Sequence, residues 1–474
     1  MNEPMPAALA PPPEAVHDPR LRHRVFARAL AGGAAWAEIF HELRVDASIT
    51  LASGDRTSRS AGLAGGVGLR VVGPAGSCQA FSPLDDAASL LDLAGRAAAG
   101  YSAMAGGTHA PAPFSDAPPG APAGTDWADA LDLALLEDRA RTALLAAEAV
   151  GTDGVRVRGT TWLRTVTVAN SRGVLRSFTS PGTRVAVDAF ARNGSDRRKG
   201  RSNHCAATPV GVLAAAQAAE VGERAAGQAR RVLGTGTVAP AALPVVLAPK
   251  AAGLLVHELL GHPCEADMVA AGSSPVHTAA PGPVTDSCVS VRDGCSGADA
   301  WGAAPWDDEG TPNPQTLVID RGHGHHVLSD RRHADLTEGQ ASSGNGRRQS
   351  YAHPVLPRTS LTRLAPGGTD PQAMVAGLAT GLWVLAAEGG AVNARTGMLT
   401  IDVKEARVIR SGTPAELVSG VAITADAREV LRGIRAVGDD PLLCPMICGK
   451  HGQWIPAAAE SPSVLVERMQ TVGG

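Results

Sequence analysis

Only 3% of the 474 residues are aromatic, so the cores of this chain have to be built from Ala, Val and Leu. A chain this long exceeds one ordinary core, and two large lobes are expected. The apolar share of 44% and charged share of 19% are those of a folded, globular protein. A formal net charge of −3 excludes a general nucleic-acid binder, which needs a basic face. Short basic runs such as Arg197-Arg198-Lys199 and Arg347-Arg348 read as solvated loop residues.

The seven cysteines, Cys78, Cys205, Cys264, Cys288, Cys295, Cys444 and Cys448, are odd in number and scattered, unlike a disulfide framework. No apolar run reaches membrane-spanning length and no signal-peptide core follows Met1, so a cytoplasmic protein without a membrane partner is expected.

Residues 1–18 read as a disordered, Pro/Ala-rich lead-in, and 19–236 as an N-terminal α/β domain interrupted by a Pro/Ala/Gly linker at 105–124. Within that domain, helical spacing predicts helices over Arg20–Leu43, Asp85–Ala99, Trp127–Val150 and Val210–Leu233. Strands are expected at Arg44–Leu51, Gly66–Val72, Val155–Thr161, Thr165–Asn170 and Thr183–Ala191, with turns at Gly73–Gly76 and Asn170–Gly173. The segment Pro240–Pro249 reads as a turn into a buried strand, which leads directly into an apolar helix at Ala251–Leu260. Beyond Pro263 come short β-like runs between Gly/Pro/Asp turns, among them Thr316–Ile319, Met398–Val403 and Ala406–Ile409. The expected class is α+β: an N-terminal α/β lobe with a mixed sheet and a β-rich, barrel-like C-terminal lobe over 237–474.

The helix at the lobe boundary carries His257-Glu258-Leu259-Leu260-Gly261-His262. Two neutral imidazoles can hold a zinc ion while an adjacent carboxylate handles the proton of a bound water. In that reading His257 and His262 are ligands and Glu258 is the general base. The spacing is unusual. In His-Glu-x-x-His the histidines stand at i and i+4, whereas here the second is at i+5, about 140° away on a regular helix. Both reach one metal only if the helix widens or ends before His262, and Gly261 with Pro263 is expected to end it. Against this stands the plainer reading of two satisfied core histidines. The motif alone leaves the third ligand open, Cys264, Glu265 and Asp267 being too close in sequence to settle it.

The run His257–Asp267 resembles the signature of the TldD/PmbA metallopeptidase family. So do, in order, Asp307-Asp-Glu-Gly-Thr-Pro312, Ser343-Gly-Asn-Gly-Arg-Arg348, Ser350-Tyr351, Glu388-Gly-Gly390, Cys448-Gly-Lys-His-Gly-Gln453 and Thr471-Val-Gly-Gly474. Gly66-Val-Gly-Leu-Arg-Val71 and Asn170-Ser-Arg-Gly173 are similar to family landmarks in the first half. The resemblance implies that Cys448 is the third ligand, with a fourth position left open for catalysis. Cys444, four residues earlier, is the rival and reads more simply as a small buried hydrophobe. Glu265 and Asp267 are candidates for orienting His262.

The intact histidine-glutamate motif resembles the TldD type rather than the PmbA (TldE) type. That implies a partner, either a PmbA-type subunit or a second copy, and unstructured peptide substrates taken up as extended strands. The same chemistry on a small amide conjugate is the alternative function, with a non-catalytic binding subunit or a modulator of DNA topology behind it. His323, His325 and His326 depart from the family pattern and read as exposed imidazoles rather than a second metal site. His451 and Trp454, beside Cys448, are expected to alter the substrate pocket.

Overall fold

The structure is a computed structural model describing residues 14–54, 56–106, 131–278, 281–295, 300–336, 341–393 and 395–473. Most of the expected lead-in and nearly all of the expected 105–124 linker therefore lie outside the described residues. Of the lead-in, Glu14–His17 forms a helical turn, and Asp18 caps the helix Pro19–Leu30 by accepting from the Arg20 N–H at 2.9 Å.

That helix is much shorter than the Arg20–Leu43 expected. It stops at Leu30 because Gly33 takes a left-handed φ of 84° and Gly32 packs against the Ala98 carbonyl too closely for any Cβ. The chain then runs as a strand, Trp36–Ala52, whose Trp36, Ile39 and Phe40 are fully buried. Six strands form the first sheet in the order Gly76–Ser82, Arg56–Gly73, Trp36–Ala52, Gly154–Asn170, Val174–Asn193 and Asp196–Ala206. The α+β class holds, but the mixed sheet expected here does not: every pairing is antiparallel. Tight turns such as Gly73–Gly76 and Asn170–Gly173 join strands in place, and such turns produce antiparallel neighbours.

Alternation sorts the strand residues by face. Odd-numbered Ala37, Ile39, Ile49 and Leu51 pack under helices, the first two with Pro19–Leu30 and Ala87–Ala105, the last two with Leu133–Ala149 and Ala215–Arg231. Even-numbered Glu38, Phe40 and Glu42 point to the other face and meet the second half of the chain. Glu38 pairs with Arg348, Arg164 joins Glu42 (2.6 Å) to Asp308 (2.9 Å), and Arg70 reaches both Glu38 and Glu309. Arg348, expected in a solvated loop, is thus buried and paired.

In the second half five strands close into a barrel. Thr380–Val392 pairs in parallel with Ala242–Leu247, which pairs with Val464–Gly473, then Val421–Asp426, then Met398–Arg410, and so back to Thr380–Val392. Beside it lies a second six-stranded sheet that ends in Gln453–Ser461 and the edge strand Leu442–Lys450. The helix Pro249–Leu255 follows the barrel strand Ala242–Leu247 after one residue. Its continuation buries Leu255, Val256, Leu259 and Leu260 in the same core as Val245, Leu247, Ile401 and Ile423. No helix among the described residues is long and apolar enough to cross a membrane.

Candidate metal centre

The widening that the i+5 spacing requires is present. From Val256 to Gly261 the helix is a π-helix, and the His262 N–H donates to the His257 carbonyl, five residues back. One wide turn therefore brings the two imidazoles onto one face, edge to face with ring centres 4.5 Å apart. Gly261 does not end the helix as expected; its φ of −97° is right-handed. Its bare Cα instead admits Thr359 and Thr362, whose side chains would lie 3.0 and 3.1 Å from any Cβ. Only after His262 does the backbone tighten into a short 3₁₀ turn, His262–Cys264.

Cys448 arrives from the edge strand Leu442–Lys450, its Sγ 3.2 Å from His262 Nε2. One donor atom from each of His257, His262 and Cys448 can be chosen so that all lie within 4.8 Å of one another. Ordinary Zn–S and Zn–N lengths about a tetrahedral ion imply S···N separations of roughly 3.5 Å, so the donor set fits zinc in kind and spacing. Burial alone would raise the Cys448 thiol, but hydrogen bonds from His257 and His262 bring it down to about 4, favouring the thiolate form that binds metal.

A charged cluster holds His262 from behind. Its Nδ1 faces Glu265 Oε2 at 2.9 Å, so Nε2 is the nitrogen presented to Cys448. Lys450 Nζ donates to Glu265 Oε2 and Asp267 Oδ1, both at 2.7 Å, and the Thr359 N–H donates to Glu265 Oε1 at 2.9 Å. Burial would raise Glu265, yet His262 and Lys450 hold its carboxyl down to about 2. Burial would lower His262, while Glu265 and Cys448 hold it well above its ordinary value. Glu265 thus contacts the His262 ring directly, whereas Asp267 contacts Lys450. Nδ1 of His257, in contrast, is buried with no hydrogen-bond partner among the described residues.

Glu258 adjoins the donors and borders a cavity of about 770 Å³, together with His257, His262, Cys448, Gly390 and Trp454. Burial first, and then Cys448 and Glu265, push its carboxyl above the usual range, opposed by His257 and His262. A carboxylate with raised affinity for a proton suits a group that accepts and returns one.

Among the other sequence candidates, Cys444 stands on the same strand but outside the donor set; its thiol faces the Pro249 carbonyl at 3.5 Å, and burial raises it to about 12. Cys264 is buried and donates to the Leu260 carbonyl at 3.3 Å. His323, His325 and His326 are exposed, and among the described residues they form no metal-binding group. His451 sits exposed at the hairpin tip with a left-handed φ of 48° and outside the cavity lining, while Trp454 lines the cavity.

Two residues had gone without a role. Lys450 stood within a quoted motif, with nothing to mark it as the clamp on Glu265. Arg358 is fully buried and donates to both the carbonyl oxygen (2.8 Å) and Sγ (3.1 Å) of Cys448. The remaining motifs build the support. Asp307 accepts the N–H groups of Glu309, Thr311 and Gly346, and Asn345 donates to Asp293 and to the Arg358 carbonyl.

The profile described as PmbA/TldA metallopeptidase C-terminal domain matches residues 240–473, and that described as PmbA/TldA metallopeptidase central domain matches 120–233. A metalloprotease from Methanothermobacter thermautotrophicus is 27% identical over 305 residues, 64% of this chain and 66% of its own length. A zinc metalloprotease TldD homolog from Saccharolobus solfataricus is 25% identical over 232 residues, 49% of this chain and 51% of its own length. The chain therefore spans about half to just under two thirds of these relatives. In fold it is similar to TldE from Thermococcus kodakarensis, with a TM-score of 0.74 over 96% of this chain and all of that one, at 14% identity.

Proposed function

The chain belongs to the PmbA/TldD metallopeptidase family, and from that premise we propose that it is a zinc-dependent peptidase of the TldD type. The observation that carries this reading is the π-turn, which sets His257 and His262 beside Cys448 with Glu258 at the same cavity. The intact His257-Glu258 and His262 motif is what supports the TldD type over the PmbA type. His257, His262 and Cys448 would hold the ion. Zinc bound there supplies Lewis-acid polarisation and makes a water acidic enough to ionise near neutral pH.

The rest falls to the chain's own groups. Glu258 takes a proton at its carboxylate and returns it to the leaving amine. Glu265 and Lys450 keep His262 in one orientation. Leu442–Lys450 is the open edge of its sheet, so an extended peptide can add to it through main-chain hydrogen bonds beside Cys448. Such binding reads backbone rather than side chains and suits unstructured peptides. The partner is a PmbA-type chain or a second copy. The cavity's size also admits a small amide conjugate stacked on Trp454, the second reading.

The test is metal content and cleavage of unfolded peptides by wild type, Glu258→Gln, His262→Ala and Cys448→Ser. Glu258→Gln should keep its zinc and lose cleavage, and the two ligand variants should lose both. Unchanged zinc in both ligand variants, or retained cleavage in Glu258→Gln, refutes the assignment. Zinc binding by wild type without cleavage of any peptide favours the small conjugate.

A further inference from the structure

The cavity beside the metal centre has an uneven charge. Six cationic side chains line it, Arg184, Lys199, Arg201, Arg224, Lys250 and Lys404, against two carboxylates, Glu258 and Glu388. Glu388 serves three of the six: Lys199 at 2.7 Å, Arg201 at 3.0 Å and Lys404 at 3.0 Å. Arg224 has Glu220 at 2.7 Å on an exposed helix face. Among the described residues neither Arg184 nor Lys250 has a carboxylate within ion-pair distance: Arg184 bonds the Cys205 thiol while its Nε is buried without an acceptor, and Lys250 feels Glu220 and Glu405 only at longer range. Cations gathered around a partly enclosed space repel one another, and a negative group entering that space relieves the repulsion.

Position on the helix gives this a length scale. Lys250, Leu254 and Glu258 stand at i, i+4 and i+8, and all three face the cavity. Eight residues of helix span about 12 Å. An extended peptide advances about 3.3 Å per residue, so three to four of its residues cover that distance. We propose that Lys250, with Arg184 and Arg224, forms a subsite for a carboxylate carried by an extended peptide, three to four residues from the bond that is cut. This rests on the peptidase reading above and adds to it a preference for acidic substrates. A nucleic-acid strand fits less well, since Glu258 and Glu388 interrupt the basic lining where a phosphate backbone needs a continuous track.

The experiment uses the whole chain and a series of ten-residue unstructured peptides, each carrying one Glu at a different position and matched by a Gln control. Every peptide is made with a free and with an amidated C-terminus. Wild type should cleave Glu peptides on the order of fivefold better than their Gln controls, as kcat/KM, when Glu lies three to four residues from the cut. Lys250→Glu should invert this preference toward Lys-bearing peptides, a change that a purely structural role for Lys250 would not produce. A Glu preference that persists in the amidated peptides assigns the site to a side-chain carboxylate, and a preference for free over amidated C-termini with Glu and Gln cleaved alike assigns it to a terminal carboxylate. Cleavage that depends on neither Glu nor the free C-terminus, or a preference that survives Lys250→Glu, overturns the proposal.

A second arm measures fluorescence anisotropy of the same peptides on Glu258→Gln, so that binding is read without hydrolysis. If wild type cleaves nothing but this variant binds Glu peptides more tightly than Gln peptides, the peptidase reading falls and the subsite stands. Equal binding, or stronger binding of a single-stranded oligonucleotide than of any Glu peptide, sinks the subsite.

Discussion

The buried guanidinium of Arg358 lies 2.8 Å from the carbonyl oxygen of Cys448 and 3.1 Å from its Sγ, both contacts through Nη2. One nitrogen thus fixes the backbone and the sulfur of Cys448, the one proposed ligand that comes from outside the helix. The guanidinium therefore sets a cationic donor beside the Cys448 sulfur. Groups that orient a ligand typically contribute about tenfold or more to metal affinity. Arg358→Met should weaken zinc binding by about that factor, and Arg358→Lys, which keeps charge but loses the forked geometry, by less. Competition with a calibrated chelator measures both, and equal affinity in all three proteins would remove Arg358 from the site.

Glu265 makes the metal-free protein sensitive to acid. Its folded pKa of about 2 lies below the ordinary carboxylate value of 4.5, so its ionisation adds stability that is fully present above 4.5. The contribution, on the order of 3 kcal/mol from the size of the shift, is lost as pH falls from 4.5 through 2. His262 works in the opposite sense. Its raised folded pKa gives stability that is complete below 6.5 and lost as pH rises through the folded value. Urea unfolding of chelator-treated wild type and Glu265→Gln should show a gap that is widest between these limits and narrows toward pH 2. A gap independent of pH would mean that Glu265 acts through packing rather than charge.

The histidine pair and Glu258 were legible because chemistry concentrates them within six residues. Cys448 is 186 residues from His262, and no spacing rule reaches that far; only resemblance to a family pointed to it. The wide turn was legible as a requirement but not as a form, since a glycine before a proline reads equally well as a helix end. What glycine supplies at 261 is room for Thr359 and Thr362, a contact between segments about a hundred residues apart. Arg358 gave no signal, because a lone arginine in a loop-like stretch looks solvated until its partner is placed. The helix expected through residues 31–43 stops at a glycine pair instead, Gly32-Gly33. The Trp36, Ile39 and Phe40 that follow are strand formers whose signal the Ala-rich stretch before them masks.

The close approach at Gly261 predicts a specific cost. A Cβ there meets Thr359 Cγ2 at 3.0 Å and Thr362 Oγ1 at 3.1 Å, tighter than ordinary contact. Gly261→Ala should destabilise the fold by about 1–3 kcal/mol, the usual range for overpacking. Because the strain falls on the turn that aligns the histidines, zinc affinity should drop with it. Gly261→Ala/Thr359→Ser, which removes the Cγ2 methyl, should recover part of both. A single variant with wild-type stability and affinity would show that the π-turn tolerates the methyl and that its glycine is dispensable.

The interface between the two halves predicts an asymmetry. Arg70 is bonded to Glu309 and stands 3.4 Å from Glu38, and all three side chains are buried. Removing Arg70 leaves the buried Glu309 without a cation and Glu38 with Arg348 alone, whereas removing the charge of Glu309 leaves Arg70 its second partner. Burial also pushes the Glu309 carboxyl up, against the pull of Arg70, so its neutral form is the less costly to keep. Arg70→Met should therefore cost about 3–5 kcal/mol, the range for breaking a buried pair from one side. Glu309→Gln should cost clearly less. Denaturant unfolding at pH 8, where the carboxylates have most reason to ionise, compares them directly. If Glu309→Gln proves the costlier change, Glu38 does not share the charge of Arg70, and Arg70 serves Glu309 alone while Arg348 holds Glu38.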